Sequence, residues 1–203
     1  MPVCRPRLLT ERCGMHFEWA TGLTEIDAAQ ILAIINAVAS HEGTNGMSRP
    51  LTDREGEDFI FAVRGAIVRG DCYQLLARAG EARSIVSIAT LERVKLNPAR
   101  RHVVEIKRMA SAPEARAFGN YILAGWRVIL DKCREIGCDI INIDVSEDGP
   151  YRMWEKLGFR TYAKVPDYAR VGARMLDGYF LSVYVEEAYR VLERFQRRAL
   201  SEI

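Results

Sequence analysis

No apolar run in the 203 residues is long enough to cross a bilayer. The longest, Ala28 to Ala39, is broken by Gln30 and Asn36, whereas a spanning helix needs about 20 predominantly apolar residues. The opening segment MPVCRPRLLTERCG lacks the apolar centre of a secretory signal, so a cytoplasmic location and no membrane partner are expected. Cysteine is scarce and follows no pairing pattern. Cys4, Cys13, Cys72, Cys133 and Cys138 form no CxxC motif and leave an odd count, which reads as reduced thiols rather than a disulfide framework. The three histidines, His16, His41 and His102, stand apart, and no His/Cys group has zinc spacing, so no metal is expected. An excess of one charge is also missing. Twenty-nine basic against 27 acidic residues give a formal net charge of +2 without a polybasic tract, so nucleic acid is not an implied partner. Neither GxGxxG nor GxxxxGKS/T occurs, which argues against a nucleotide-binding α/β protein.

What is present is an ordinary globular composition, 49% hydrophobic and 28% charged, in a length that suits one domain. A short strand around His16 to Thr21 precedes a helix from about Glu25 to Ser40, with Thr24 as its N-cap. HEGTNGMSRP reads as a loop, and a second helix runs from about Asp53 to Arg69, stopped by Gly70. Then β-branched and aromatic residues take over. CYQLLARAG, RSIVSIATLERVK and RHVVEIKRMAS read as an antiparallel meander with turns at Gly80 and Asn97-Pro98. A helix from Asn120 to about Ile136 carries Ile122, Trp126, Ile129, Cys133 and Ile136 at spacings of three and four, and Gly137 stops it. The strand DIINIDVS follows, and the short joints around this helix predict parallel, adjacent flanking strands in a right-handed crossover. A short helix PYRMWEKLG, strands FRTYAKV and YFLSVYV joined by a Pro166 to Asp177 connection, and a charged helix from Glu186 complete the chain. The fold class is α/β, with a mixed, mostly antiparallel sheet around one parallel β-α-β unit.

One turn has a chemistry that its residues alone suggest. Arg116 and Gly119 lead straight into the helix near Asn120, so unpaired backbone N–H groups and the positive end of the helix dipole converge where an anion would fit. Three stretches extend that observation: RHVVEIKRMASAPEARAFG, INIDVSEDGPYRMWEKLGF and KVPDYARVGARMLDGYFLSVY. Together with the element order they resemble the GNAT superfamily of N-acetyltransferases. Within it, Arg101-His102 with Glu105, the Ile143-Asp144 strand and Pro166-Asp167-Tyr168-Ala169 resemble the tabtoxin-resistance-type enzymes.

The resemblance implies acetyl-CoA as acyl donor and the amine of a small molecule as acceptor. It implies that the pyrophosphate meets the amides of Ala117, Phe118, Gly119, Asn120 and Tyr121 with Arg116 beside them. Pantetheine would bond the main chain at Met109 and Ser111, and the Met109 N–H would serve the oxyanion. Tyr121 departs from the usual pattern, which has a small residue there, and Trp154 stands where a tyrosine commonly sits. An indole is no proton donor near neutral pH. Tyr151, one turn earlier, is therefore the candidate acid, with packing as its other reading. Strand alternation places Glu105 on one face with Val103, Lys107 and Met109, and places Asp144 with Asn142 and Ser146. Glu105 and Asp144 are the candidate catalytic carboxylates; the competing reading is a pair of charges balanced by Lys107, Arg108 or Arg101.

Residues 15–185 are expected to form the acetyltransferase domain, after an extension over 1–14 and before an amphipathic helix over 186–203. The last carries Ala188, Val191, Leu192, Phe195 and Ala199 on one stripe, which packs on its own domain or on a twin subunit as a homodimer. His41, Glu42, Asn45 and Asp167 lie in loops expected to border the acceptor site. Two alternatives remain: a GNAT-fold acyltransferase that takes its acyl group from an acyl carrier protein, and a non-catalytic acyl-CoA-binding module.

Overall fold

The structure, a computed structural model, describes residues 14–41, 47–93, 97–118, 121–146 and 150–201. The expected extension over 1–14 therefore falls almost wholly outside the described residues, as do Glu42 and Asn45. Strand β1 is Met15–Trp19, helix α1 is Glu25–His41 and helix α2 is Asp53–Arg69. Both helices start in reciprocal caps. At α1 the Thr24 hydroxyl accepts from the Asp27 N–H (3.1 Å), and the Asp27 carboxylate accepts from the Thr24 N–H (3.0 Å). Thr52 and Glu55 form the same box at α2, and Gly70, with φ of 65°, ends that helix in the left-handed conformation.

The meander follows as β2 (Cys72–Ala79), β3 (Ser84–Arg93) and β4 (Val103–Ser111). A 3-10 segment, Pro113–Phe118, leads toward α3 (Tyr121–Glu135), so most of the expected open turn is helical. Then come β5 (Ile140–Ser146), α4 (Tyr151–Lys156), β6 (Arg160–Val171), β7 (Arg174–Tyr184) and α5 (Val185–Ser201). The seven strands described form one sheet in the order β1-β2-β3-β4-β5-β7-β6. One face lies under α1 and α2, where Ile31, Ile34, Ile35 and Ile60 bury against Leu76, Ile88 and Ala110. The other packs Ile129, Leu130 and Cys133 of α3, with Ala188 and Leu192 of α5, on Leu91, Ile106, Ile141 and Leu181. Among the described residues no helix is long and apolar enough to cross a membrane.

Two irregularities position the site. The β4/β5 pair, parallel as the short joints around α3 predict, is registered only at Val103↔Ile140, Val104↔Ile141 and Glu105↔Asn142. Beyond that the strands part. The first irregularity is in β4, which carries one extra residue against β3: Lys107 lies opposite Thr90 and Ala110 opposite Ile88, with Arg108 at φ 51° between them. This corrects the expected alternation. Glu105 and Lys107 share a face, but the bulge rotates Met109 to the other one, where it packs against the α3 and α5 core.

The second irregularity replaces the expected Pro166 to Asp177 connection, since this stretch continues the β6/β7 hairpin. Val165 pairs with Gly178 and Ala169 with Leu176, so Pro166, Asp167 and Tyr168 bulge opposite Asp177 alone. Asp167 takes φ 53°, and its N–H reaches the Asp177 carboxylate at 3.3 Å. Pro166 lacks an N–H to give the ladder, which fits it to a bulge on an edge strand.

Candidate active site

Where β4 and β5 separate, a cleft of about 430 Å³ opens between them. Ile106 to Ser111 form one wall, Ile143 to Val145 the opposite wall, and Tyr121, Ile122, Met153 and Trp154 close the α3 and α4 side. Because β4 has no registered partner on its β5 side past Glu105, its main-chain groups there face the cleft rather than a neighbouring strand. Of the residues expected from sequence, Met109, Ser111, Tyr121 and Asp144 line this space. The Ser111 hydroxyl lies 2.8 Å from that of Ser87, so its main chain rather than its side chain is what it offers.

Phe118 packs with Met15, Ala77 and Ala115 beside the start of α3. Arg116 and Ala117 contribute backbone to the 3-10 segment, while their side chains, and Gly119 and Asn120 entirely, lie outside the described residues. Tyr151 is not among the residues lining the cleft. Its ring stacks on Tyr179, with centroids 4.6 Å apart and planes within 7°, and its hydroxyl accepts from Arg152 Nε at 3.3 Å. Trp154 is buried, edge-on to Trp126 and Phe159. It is a wall of the cleft and a member of the core at once.

Glu105 is likewise not a lining residue; it is joined to the cleft through Lys107. Lys107 Nζ lies 2.6 Å from Asp144 Oδ1 and 3.3 Å from Glu105 Oε2, and Arg100 approaches Glu105 at 3.9 Å. The second Asp144 oxygen, Oδ2, accepts from the Tyr168 hydroxyl at 2.5 Å. Next along β4, Arg108 donates to Glu92 at 2.8 Å and lies over the Phe59 ring.

Sequence reasoning had Lys107 only as a balancing charge for the two carboxylates, which is the pairing seen here, and gave Tyr168 no role in the site. The Pro166–Tyr168 bulge folds Tyr168 back across the sheet onto Gly178, where an added Cβ would stand 2.4 Å from its Cγ. Only a residue without a side chain admits the ring there.

The network sets the charge states. Burial on its own would raise the Asp144 pKa, but hydrogen bonds from Lys107 and Tyr168, with the lysine charge, outweigh it and hold the carboxyl below its ordinary value. Burial likewise opposes the charge on Lys107, and its bond to Asp144 and the field of both carboxylates lift its pKa above the usual lysine value. Tyr168 is pushed up to about 12, first by burial and then by donating to Asp144. At neutral pH this is a lysine ammonium between two carboxylates, with a neutral phenol holding one of them. No group of three or more metal-ligating side chains occurs among the described residues.

No protein-family model matches the chain, and no curated protein does. Solved structures do match. A GNAT superfamily phosphinothricin acetyltransferase from Sinorhizobium meliloti, in complex with acetyl-CoA, superposes with a TM-score of 0.66 at 19% identity, over 84% of this chain and 88% of that one. This is the GNAT fold. A spermidine N-acetyltransferase from Vibrio cholerae, in complex with CoA and spermine, gives a TM-score of 0.68 at 13% identity, over 87% and 98%. The ribosomal-protein-alanine N-acetyltransferase of Brucella melitensis gives 0.65 at 18%, over 83% and 99%. The N-terminus of α3, at Tyr121 and Ile122, lies beside the cleft.

Proposed function

We propose that the chain is an N-acetyltransferase that moves an acetyl group from acetyl-CoA to the amine of a small molecule, with residues 15–185 as the acetyltransferase domain, working in the cytoplasm. The observation that carries this reading is the cleft between β4 and β5, whose β4 wall from Ile106 to Ser111 is paired with β3 on one side and has no registered partner on the β5 side. Such an edge suits an extended amide chain like pantetheine. Two proteins of this fold, from Sinorhizobium meliloti and Vibrio cholerae, carry acetyl-CoA or CoA. Met109 and Ser111 would hold the donor by main-chain bonds, and the segment from Arg116 to Tyr121 would take its phosphates at the start of α3. When bound, acetyl-CoA supplies an activated thioester carbonyl. The Met109 N–H, which lies in the bulged stretch of β4, would serve as donor to the developing oxyanion.

In this reading Glu105 is the base that accepts the amine proton, directly or through water. Asp144 is a weaker base because Lys107 and Tyr168 already occupy both its oxygens, and its part is to hold those groups in place. Lys107 and Arg108 line the cleft already paired with Asp144, Glu105 and Glu92, and an amino-acid-like molecule is the acceptor class the resemblance implies. The Pro166–Tyr168 bulge brings the Tyr168 hydroxyl to Asp144, and kinship with the tabtoxin-resistance-type branch is proposed on the Pro166-Asp167-Tyr168-Ala169 resemblance. Tyr151 is kept as the candidate acid, with its stacking on Tyr179 favouring a packing role.

Two observations favour a second reading, a non-catalytic acyl-CoA-binding module: Trp154 is buried at the usual tyrosine position, and Lys107 is already paired with both carboxylates. CoA release from acetyl-CoA, measured against amino acids, polyamines and aminophosphinates, separates the two. Glu105→Gln should then lower kcat by about a hundredfold at pH 7 and leave acetyl-CoA affinity nearly intact. Release with no amine in the panel, beside tight acetyl-CoA binding, would leave the binding module standing.

A further inference from the structure

An enzyme that acetylates amines needs an amine at the cleft, a carboxylate within reach of it, and an open edge for the donor. The chain supplies its own. Lys107 is the only lysine among the described residues that line the cleft, and its Cα is two residues past the last β4/β5 pair, where the open edge begins. Its Nζ stands at 2.6 Å from Asp144 and 3.3 Å from Glu105. Glu105 is the base proposed for an acceptor's amine, and Asp144 holds the Lys107 ammonium beside it, so Lys107 sits where an external amine would meet that base. We infer that Lys107 is itself an acetylation site, modified by acetyl-CoA bound in the same cleft when no external acceptor displaces it.

The inference rests on the acetyl-CoA reading above. The lysine ammonium gives one proton to Glu105 and from there to solvent; Nζ attacks the thioester carbonyl; the C–N bond forms and the C–S bond breaks. The second Nζ proton leaves with the thiolate as free CoA thiol. The product is a neutral amide between two carboxylates. One ion pair of Asp144 and one of Glu105 are lost, while the Tyr168 bond to Asp144 and the Arg100 contact with Glu105 remain.

The groups facing Lys107 decide the pH dependence. From β4 these are Glu105 and the neighbouring Arg108, itself engaged by Glu92 of β3; from β5, Asp144; from β6, Tyr168 beyond Asp144. Two carboxylates beside one ammonium keep it protonated at neutral pH. The reaction is therefore slow there, and its rate rises by about tenfold per pH unit from 7 to 9, following the neutral amine.

The chain provides its own controls. Lys156 and Lys164 are exposed, Lys164 with Asp177 at 2.7 Å, whereas the Lys107 side chain is about one-third accessible and paired with two carboxylates. Uncatalysed acetylation follows exposure and favours the first two. The full-length protein is incubated with acetyl-CoA alone at pH 7, 8 and 9, and peptide mass spectrometry reads the occupancy of each lysine. A thermal-shift measurement on the same samples reports whether acetyl-CoA binds at all. The expected result is acetylation of Lys107 at least tenfold faster than of Lys156 or Lys164, slowed in Glu105→Gln. Acetyl phosphate, which brings no CoA to the cleft, should reverse the order. Bound acetyl-CoA with unmodified Lys107, or labelling that follows exposure, overturns the inference and leaves the acetyltransferase reading intact. Absence of acetyl-CoA binding overturns both.

Discussion

Replacing Gly178 by alanine tests the acceptor side of the cleft with a single methyl group. An alanine Cβ at this position would stand 2.4 Å from Tyr168 Cγ, 2.5 Å from Cδ1 and 2.7 Å from Cβ. Three ring-root atoms at those distances leave no room for a small adjustment, so the ring must leave Gly178. The Tyr168 hydroxyl then loses Asp144. Overpacking of this kind costs roughly 1–3 kcal/mol, and a hydrogen bond to a charged group is worth about 1.5–3 kcal/mol. Because Tyr168 is 41% exposed, solvent replaces part of that bond, and the expected net loss is about 2 kcal/mol. For a chain of this size that lowers Tm by roughly 4–8 °C, read by circular dichroism on heating. In a Tyr168→Ala background the obstacle is gone, and the same glycine substitution should cost less than about 0.5 kcal/mol. An unchanged Tm in Gly178→Ala, or an equal loss in both backgrounds, would refute the claim that Gly178 exists to seat Tyr168.

Three further outcomes are expected. Asp27 is buried and caps α1 while accepting from Arg78 at 2.6 Å, so Asp27→Ala leaves Arg78 with Glu18 and the Arg83 carbonyl and should cost about 3 kcal/mol in chemical denaturation; a loss under 1 kcal/mol would show the pair to be dispensable. The tyrosinate absorbance of wild type minus Tyr168→Phe should rise near pH 12 rather than 10. Because this folded pKa is raised, the stabilisation from Tyr168 is present below pH 10 and lost as pH climbs toward 12, whereas that from Asp144, whose folded pKa is lowered, is present above 3.8 and lost as pH falls through the lower value. Trp154→Phe should retain most CoA-releasing activity and lose stability by about 1–3 kcal/mol, since the indole is packed against Trp126 and Phe159; a hundredfold fall in kcat without loss of stability would give the ring a chemical role.

The element order was legible because local signals agreed with the tertiary arrangement. Thr52, Glu55 and Gly70 mark both ends of α2, and the short joints around α3 force β4 and β5 to run parallel. What escaped was produced by insertion of residues into strands. The β4 bulge turns on Arg108, a non-glycine residue at positive φ, and its only trace in the sequence is the Lys107-Arg108 pair interrupting the alternation of VVEI. Alternation counted through it puts Met109 on the wrong face. Pro166-Asp167 reads as a connection because that dipeptide is turn chemistry, and the strand resumes only after Tyr168 has been folded over the sheet. That Tyr168 reaches Asp144, 24 positions away, depends on an absent side chain at Gly178. No local pattern carries a contact of that range. The two carboxylates were named from alternation on adjacent strands; Lys107 between them was visible only as a neighbouring charge.

The central claim is that the cleft between β4 and β5 takes acetyl-CoA. A calorimetric titration of the full chain with acetyl-CoA, with tryptophan emission followed on the same samples, tests it most directly because Trp154 is in the cleft wall. The account predicts one site per chain, a Kd in the micromolar range, or about −7 to −8 kcal/mol, and a change in emission that is absent from Trp154→Phe. No heat and no emission change up to millimolar acetyl-CoA, in protein that melts cooperatively, would contradict it.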